Sequence, residues 1–242
     1  GSGWPLSRKY GCSAAAALAL LLQAARRSLD AAGVAFHVGS QQRQPRAWEA
    51  PLATTAQVFA RARAAGLDPR IIDLGGGFPA GHEGDHPGLT AYGAAIRAAL
   101  ARYFADPGQQ PQTLAEPGRG IVGDAGVVVT SVVSVIDRGG VRWAYLDAGV
   151  FTGLVETLDE AIRYRLSTSA DGGPTGPVVL AGPTCDSADV LYEKQPVHLP
   201  LALAEGDEVR FHSAGAYTTC YSTVGFNGFD PMPTLVVTGE QT

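Results

Sequence analysis

Lysine is nearly missing from this sequence. Of 18 basic side chains only Lys9 and Lys194 are lysines, and the other sixteen are arginines. Cysteine is scarce too. Cys12, Cys185 and Cys220 cannot all pair, which excludes a disulfide scaffold and makes a reducing, cytoplasmic compartment the default expectation. They are far apart and form no CxxC, so no metal site is expected. No run reaches the ~18 apolar residues of a membrane-spanning helix. The longest, Ala14 to Leu22, has nine and follows Arg8 and Lys9, as the core of a signal peptide would. Arg26, Arg27 and Asp30 instead continue a helical pattern, and Ser13 is placed to cap it. Positive charge is not in excess: 18 basic against 23 acidic residues give −5, with no electrostatic footprint for nucleic acid or an anionic membrane. Charged residues are few, 17%, beside 45% hydrophobic ones, which excludes a disordered polymer. The 242 residues can bury one large core or two modest ones. The opening Gly1-Ser2-Gly3 reads as a cloning scar.

The first half alternates strands and helices. Helices are expected over 13–31, broken by Gly33, then over Ala56–Ala65 and Tyr92–Phe104. Short apolar strands are expected at Val34–Val38, Ile71–Leu74 and Thr113–Glu116. This βα spacing argues for a parallel α/β arrangement. Near residue 120 the character changes. Residues 121–136 are Val-rich and 143–146 apolar, short runs at 178–180, 197–199, 209–211 and 235–237 read as strands, and only Leu158–Tyr164 reads as helical. Residues 1–120 are therefore expected to form a βα domain and 121–242 a mainly β domain.

Each early strand ends in polar or glycine residues: His37 to Ser40, Gly75-Gly76-Gly77, and Glu116-Pro117-Gly118-Arg119. In a βα barrel such ends share one active-site face. The triple glycine can bring backbone N–H groups close to a phosphate, or simply form a tight turn. Arg119 can hold a phosphate bidentately. His37 can be catalytic or structural. Gly182-Pro183-Thr184-Cys185-Asp186 places a cysteine beside a carboxylate, fit for proton donation or nucleophilic attack, or for a buried structural role.

The ordered set FHVGSQ (36–41), DLGGGFP (73–79), EPGR (116–119), LDAGVF (146–151), GPTCDSAD (182–189), GAYT (215–218) and FNGF (226–229) resembles the ornithine/lysine decarboxylase family. These are pyridoxal-phosphate enzymes built on an alanine-racemase-type (β/α)8 barrel followed by a β-sandwich or β-barrel-like domain. The resemblance spans nearly the whole chain. It implies decarboxylation of L-ornithine or L-lysine to the diamine, with pyridoxal 5'-phosphate as cofactor. His37 would stack on the pyridine ring. Ser40, Gly76, Gly77, Arg119 and Tyr217 would bind the phosphate, and Pro117 and Gly118 would belong to the same cofactor-binding set. Glu116 would pair with the ring nitrogen. Asp147 and Asp186 would hold the distal ammonium of the substrate, and Cys185 would return a proton to the carbon that loses CO2. Cys185 and Asp186 act across the subunit interface in this family, so a homodimer is implied.

One family feature is lacking. The lysine that holds the cofactor covalently lies in a segment like PFYAVK on the first barrel strand, and no such segment occurs here. Lys9 sits in LSRKYG and Lys194 in a loop of the β domain. The chain is therefore expected to begin partway round the barrel and to show three or four of its strands, with unpaired edges and apolar helix faces. Three readings follow: part of a longer enzyme that needs a complementary N-terminal half, a shortened non-catalytic relative acting through ligand or protein binding, or a chain in which Lys9 has taken a new role.

Overall fold

Ser13 accepts a hydrogen bond from the Ala16 amide at 3.2 Å and opens helix α1, Ala14–Arg26, in the computed structural model, which describes residues 9–83 and 86–238. The cap is where the sequence places it. The helix stops earlier than its pattern, because Ser28 turns left-handed (φ 59°) and its amide bonds to Ala25 O while that of Leu29 bonds to Ala24 O. That pair of bonds closes the last turn. Gly33, expected as the breaker, instead opens strand β1, Gly33–Ala35. Arg8 and the Gly1–Gly3 tripeptide lie outside the described residues.

The chain divides into two compact units: Gly1–Ala80 with Asp85–Ile121, and Gly81–Gly84 with Val122–Thr242. In the first, β1, β2 (Ile71–Asp73) and β3 (Gln112–Leu114) form a parallel sheet in that order, with Ala35 opposite Asp73 and Asp73 opposite Leu114. Helix α2 runs Glu49–Ala64 and α3 runs Leu89–Tyr103. α2 starts seven residues before the apolar pattern at Ala56, because a 3-10 turn, Pro45–Trp48, leads into it and Pro51 falls in its first turn, where a missing N–H costs nothing. Leu52, Val58, Phe59 and Ala62 of α2 and Tyr92, Ile96 and Ala99 of α3 are buried at helical spacing. Leu52, Phe59, Tyr92, Ile96 and Ala99 close a core with Trp48, Ile72, Leu74, Phe78 and Phe104. The apolar α1 has no buried residue, and all three β3 residues are exposed. This is a partial alanine-racemase-type barrel, with both sheet edges unpaired among the described residues.

The second unit is a seven-stranded, mostly antiparallel sheet. Its strands are β4 (Val127–Arg138), β5 (Val141–Leu146), β6 (Leu166–Thr168), β7 (Thr175–Ala181), β8 (Val190–Leu191), β9 (Val197–Pro200) and β10 (Glu208–His212). The order is β6-β10-β4-β5-β7-β8, β9 pairs with β7, and among the described residues only β5 and β7 run parallel. On β4, Val128, Thr130 and Val132 face the core while Val127, Val129 and Val133 are exposed, the two-residue period of a pleated strand.

The Val-rich stretch opens on a short helix, α4 (Gly118–Val122), and a 3-10 turn before β4 starts at Val127. Two expectations fail in this half. Leu158–Tyr164 is not a helix. A 3-10 stretch, Val155–Glu160, is broken where Asp159 and Glu160 take positive φ (53° and 58°). Leu235, Val236 and Val237 form no strand and are 86–91% exposed, so their apolar character is not used for burial here. Among the described residues no helix is long and apolar enough to cross a membrane.

Candidate functional site

The parallel register of β1, β2 and β3 sets the three strand ends side by side. Bonds just past the strands hold them there. Phe36 N donates to Asp73 O (3.1 Å), Leu74 N to Leu114 O (2.9 Å), and Glu116 N to Gly75 O (3.0 Å). The glycine turn is then tied to the first loop by Gln42 N donating to Gly77 O at 2.9 Å. The result is close approach. A methyl group at Gly76 would lie 2.6 Å from the Glu116 carbonyl oxygen and 3.2 Å from His37 Nε2. His37, Gly76 and Glu116 are therefore neighbours. Ser40 and Gly77 lie in the joined loops. Pro117 and Gly118 lead into α4, whose Arg119 is buried.

Burial holds the His37 imidazole below its ordinary value of 6.5, against the Glu116 and Asp73 carboxylates, which pull the other way. The geometry agrees, since Nδ1 accepts the Gly39 amide at 2.8 Å and a protonated ring could not. The folded state thus binds fewer protons than the unfolded one just below 6.5. Stability from His37 is full above that pH and is lost as pH falls through the lowered value. The urea midpoint is expected to drop on acidification below pH 6.5, and His37→Gln to flatten that slope. An identical slope in the variant would remove His37 as the cause.

In the second unit three motifs converge. Asp147, exposed just after β5, accepts the Ser131 amide at Oδ1 (2.8 Å). The next residues form a 3-10 turn, Val150–Thr152, whose Val150 amide donates to Asp189 Oδ1 at 2.7 Å. Asp189 Oδ2 accepts both the amide (3.0 Å) and the hydroxyl (2.7 Å) of Thr184. Cys185 follows with its thiol exposed, so the buried structural reading of this cysteine does not hold. Its amide donates to Asn227 Oδ1 at 2.7 Å, and Phe226 packs on Phe151 with ring centroids 4.6 Å apart. Asp186 is exposed, and its Oδ1 accepts the Ala188 amide at 2.9 Å. Tyr217 sits in a left-handed turn (φ 58°), 40% exposed and beside the ring of Tyr221.

Sequence reasoning passed over Asp189, Asn227, Gln41, Gln42 and Trp48. Asp189 and Asn227 stand inside quoted motifs, yet only the fold shows which loops they join. Buried Gln41 exchanges two hydrogen bonds with Ala80, at 2.7 and 3.1 Å, and so fastens the loop after His37 to the end of the glycine turn.

The donor set at the ends of β1 to β3 fits pyridoxal phosphate: backbone amides of a glycine turn and a guanidinium for a phosphate, an imidazole for stacking, a carboxylate for a ring nitrogen. The bare Gly76 lets the glycine turn close on the Glu116 carbonyl and the His37 ring, which brings these groups together. The lysines lie elsewhere. Lys9 precedes α1 with its ammonium over the Tyr10 ring, and Lys194, between β8 and β9, pairs with Asp159 at 3.1 Å. Among the described residues no three His, Cys, Asp or Glu side chains gather as metal ligands would.

Known proteins place this arrangement. Residues 4–123 match the family model of the pyridoxal binding domain of pyridoxal-dependent decarboxylases. A lysine/ornithine decarboxylase of Selenomonas ruminantium is 34% identical over 96% of this chain and 57% of its own length. Antizyme inhibitor 2 of Xenopus laevis is 31% identical over 94% of this chain and 52% of its own. The crystal structure of the Vibrio vulnificus lysine/ornithine decarboxylase complexed with cadaverine superposes with a TM-score of 0.81 at 34% identity, over 94% of this chain and 61% of that one. The chain thus spans little more than half the length of such relatives. With seven motifs in order, the strand-end cradle and the shared fold, the chain belongs to the pyridoxal-phosphate-dependent ornithine/lysine decarboxylase family, whose cofactor is pyridoxal 5'-phosphate.

Proposed function

We propose that this chain supplies the cofactor cradle and the proton-donor loop for decarboxylation of L-ornithine or L-lysine to its diamine, with the catalytic lysine contributed by a segment outside this sequence. The observation that carries the reading is the cradle, where His37, Gly76 and Glu116 meet in a chain with no lysine at the same strand ends.

Pyridoxal phosphate, when bound, supplies the electron sink for the pair released as CO2 leaves. The chain's own groups do the rest. Amides of Gly76 and Gly77, the Arg119 guanidinium and Ser40 hold the phosphate. His37, neutral and fixed by Gly39, presents a flat ring for stacking. Glu116 keeps the ring nitrogen protonated by accepting its proton in a hydrogen bond. By their motifs, Tyr217 is a further phosphate contact, and Asp147 and Asp186 receive the distal ammonium. Cys185 Sγ gives its proton to the carbon that has lost CO2. In a homodimer, Cys185 and Asp186 serve the cofactor site of the partner subunit. Ornithine and lysine both present a distal ammonium to these carboxylates and differ by one methylene, worth only ~1–3 kcal/mol in a pocket.

The test is reconstitution. The purified chain is mixed with a lysine-bearing N-terminal barrel segment of a related decarboxylase and pyridoxal phosphate, and diamine is measured. Putrescine or cadaverine is expected, and Cys185→Ala lowers it by about 10²-fold, the usual contribution of a positioned acid. A complex that assembles and makes no diamine from either substrate sinks the reading.

The similarity to antizyme inhibitor 2, named for inhibition rather than catalysis, favours a second reading when joined to the missing lysine motif. Here the chain is a non-catalytic relative that binds a partner protein. Stable capture of a full-length decarboxylase by the native chain, with no turnover of its own after reconstitution, is the outcome that selects it.

A further inference from the structure

Asp189 is 2% exposed and takes part in none of the chemistry above. Its carboxylate spans two loops: Oδ1 accepts Val150 N, four residues after the end of β5, and Oδ2 accepts the amide and hydroxyl of Thr184, the residue before Cys185. The chain makes room for it. A methyl group at Gly149 or at Gly182 would stand 2.2 Å from Asp189 Oδ1, so both positions are bare where the carboxylate enters. The turn is closed by backbone bonds from Gly182 N to Asp189 O and from Asp189 N to Asp186 O, at 2.9 and 3.0 Å. From the outside Asn227 Oδ1 holds the Cys185 amide.

A buried carboxylate with three donors is a strong and directional tie, because charge-assisted bonds in a dry site are roughly twice as strong as neutral ones. All the ties on this segment fall on Gly182, Thr184, Cys185 and Asp186, while the Cys185 thiol itself stays open to solvent. We propose that Asp189 is the positioning residue of the proton-donor loop, locking the turn that carries Cys185 and Asp186 to the turn that follows Asp147. The assignment rests on the proposed role of Cys185, but the fixing of the loop is measurable without it.

The experiment compares the full chain with Asp189→Asn and Thr184→Ala. Asparagine keeps the shape and an acceptor for Val150, yet its amide nitrogen faces the Thr184 N–H, donor against donor. Two readouts are taken without cofactor or partner. One is amide exchange over residues 147–151 and 182–189. The other is the alkylation rate of Cys185 relative to Cys12 and Cys220, resolved by peptide mass. In Asp189→Asn, exchange in both loops is expected to rise roughly tenfold, the shift for loss of one charge-assisted bond. The Cys185 rate ratio rises with it, while β4, β5 and β10 keep their protection. Thr184→Ala, which removes only the hydroxyl bond, gives a smaller change in the same direction and decides the matter alone if the asparagine variant does not fold. An unchanged Cys185 ratio overturns the proposal. So does exchange that rises equally through the whole sheet, the mark of a merely structural carboxylate. Failure of diamine formation in reconstitution, with these loop readouts moving as stated, would reject the proposed function and leave the positioning role standing.

Discussion

Trp48→Ala is expected to unfold the first unit. Trp48 is fully buried, stacks on Phe78 at 4.8 Å, meets Tyr92 edge-on at 5.7 Å, and donates Nε1–H to Leu74 O at 3.1 Å. Truncating a buried tryptophan costs about 3–5 kcal/mol through lost burial and the cavity left behind. The Leu74 carbonyl loses a donor as well, at about 1 kcal/mol or more. Whole domains hold only about 5–15 kcal/mol. Among the described residues this unit has a small sheet with two unpaired edges and a first helix with no buried residue, so it has less to lose. Amides of α2 and α3 should lose protection in hydrogen exchange, while β4, β5 and β10 of the second unit keep theirs. Native protection of α2 in the variant would show that the core around Trp48 is not what holds this unit. The effect also reaches the cradle, since Leu74 and Phe78 flank the glycine turn on either side.

The second large effect is expected at Gly77→Ala. Gly77 has φ 93°, where an L side chain is strained, and a methyl group there would lie 2.3 Å from Gly39 O and 3.0 Å from Val38 Cγ2. Relief requires that the glycine turn and the loop after His37 separate. That breaks the Gln42 N to Gly77 O bond that joins them. Left-handed strain costs about 1–2 kcal/mol and overpacking about 1–3 kcal/mol, so pyridoxal phosphate affinity should fall by about a hundredfold. Titration of the chain with the cofactor, followed by absorbance, measures it. Gly88→Ala is the control: φ is −63° and no atom lies within 4 Å of the added methyl group, so affinity stays as it was. Equal affinities in all three proteins would place the phosphate elsewhere.

Particular residues show where reading from sequence succeeds. Ser13 caps α1 because a short hydroxyl before an apolar helix has few other uses, and the structure has that bond. Strands β1, β2 and β3 were legible because short apolar runs ended in polar or glycine residues, and parallel pairing necessarily brings such ends to one edge. Leu235 to Val237 misled for the opposite reason. Their apolar pattern is as good as that of β10, but a strand exists only if another strand pairs with it, and nothing local reports that. The expected helix over 158–164 failed at Asp159 and Glu160, which both take positive φ.

Chemistry follows the same division. Residue identity and order, from FHVGSQ to FNGF, carried the family, the cofactor and the names of the reacting groups, because chemical capacity belongs to the side chain. The lack of a lysine in any PFYAVK-like segment was equally plain. Burial and distance decided the rest. Cys185 is exposed rather than structural, His37 is held neutral by the Gly39 amide and by burial, and Asp189 is a buried tie between two loops rather than one more acid in an acidic protein. These depend on which distant segments meet. Contacts between residues 149 and 189, or 185 and 227, exist only after the chain has folded, and no window of sequence contains both ends.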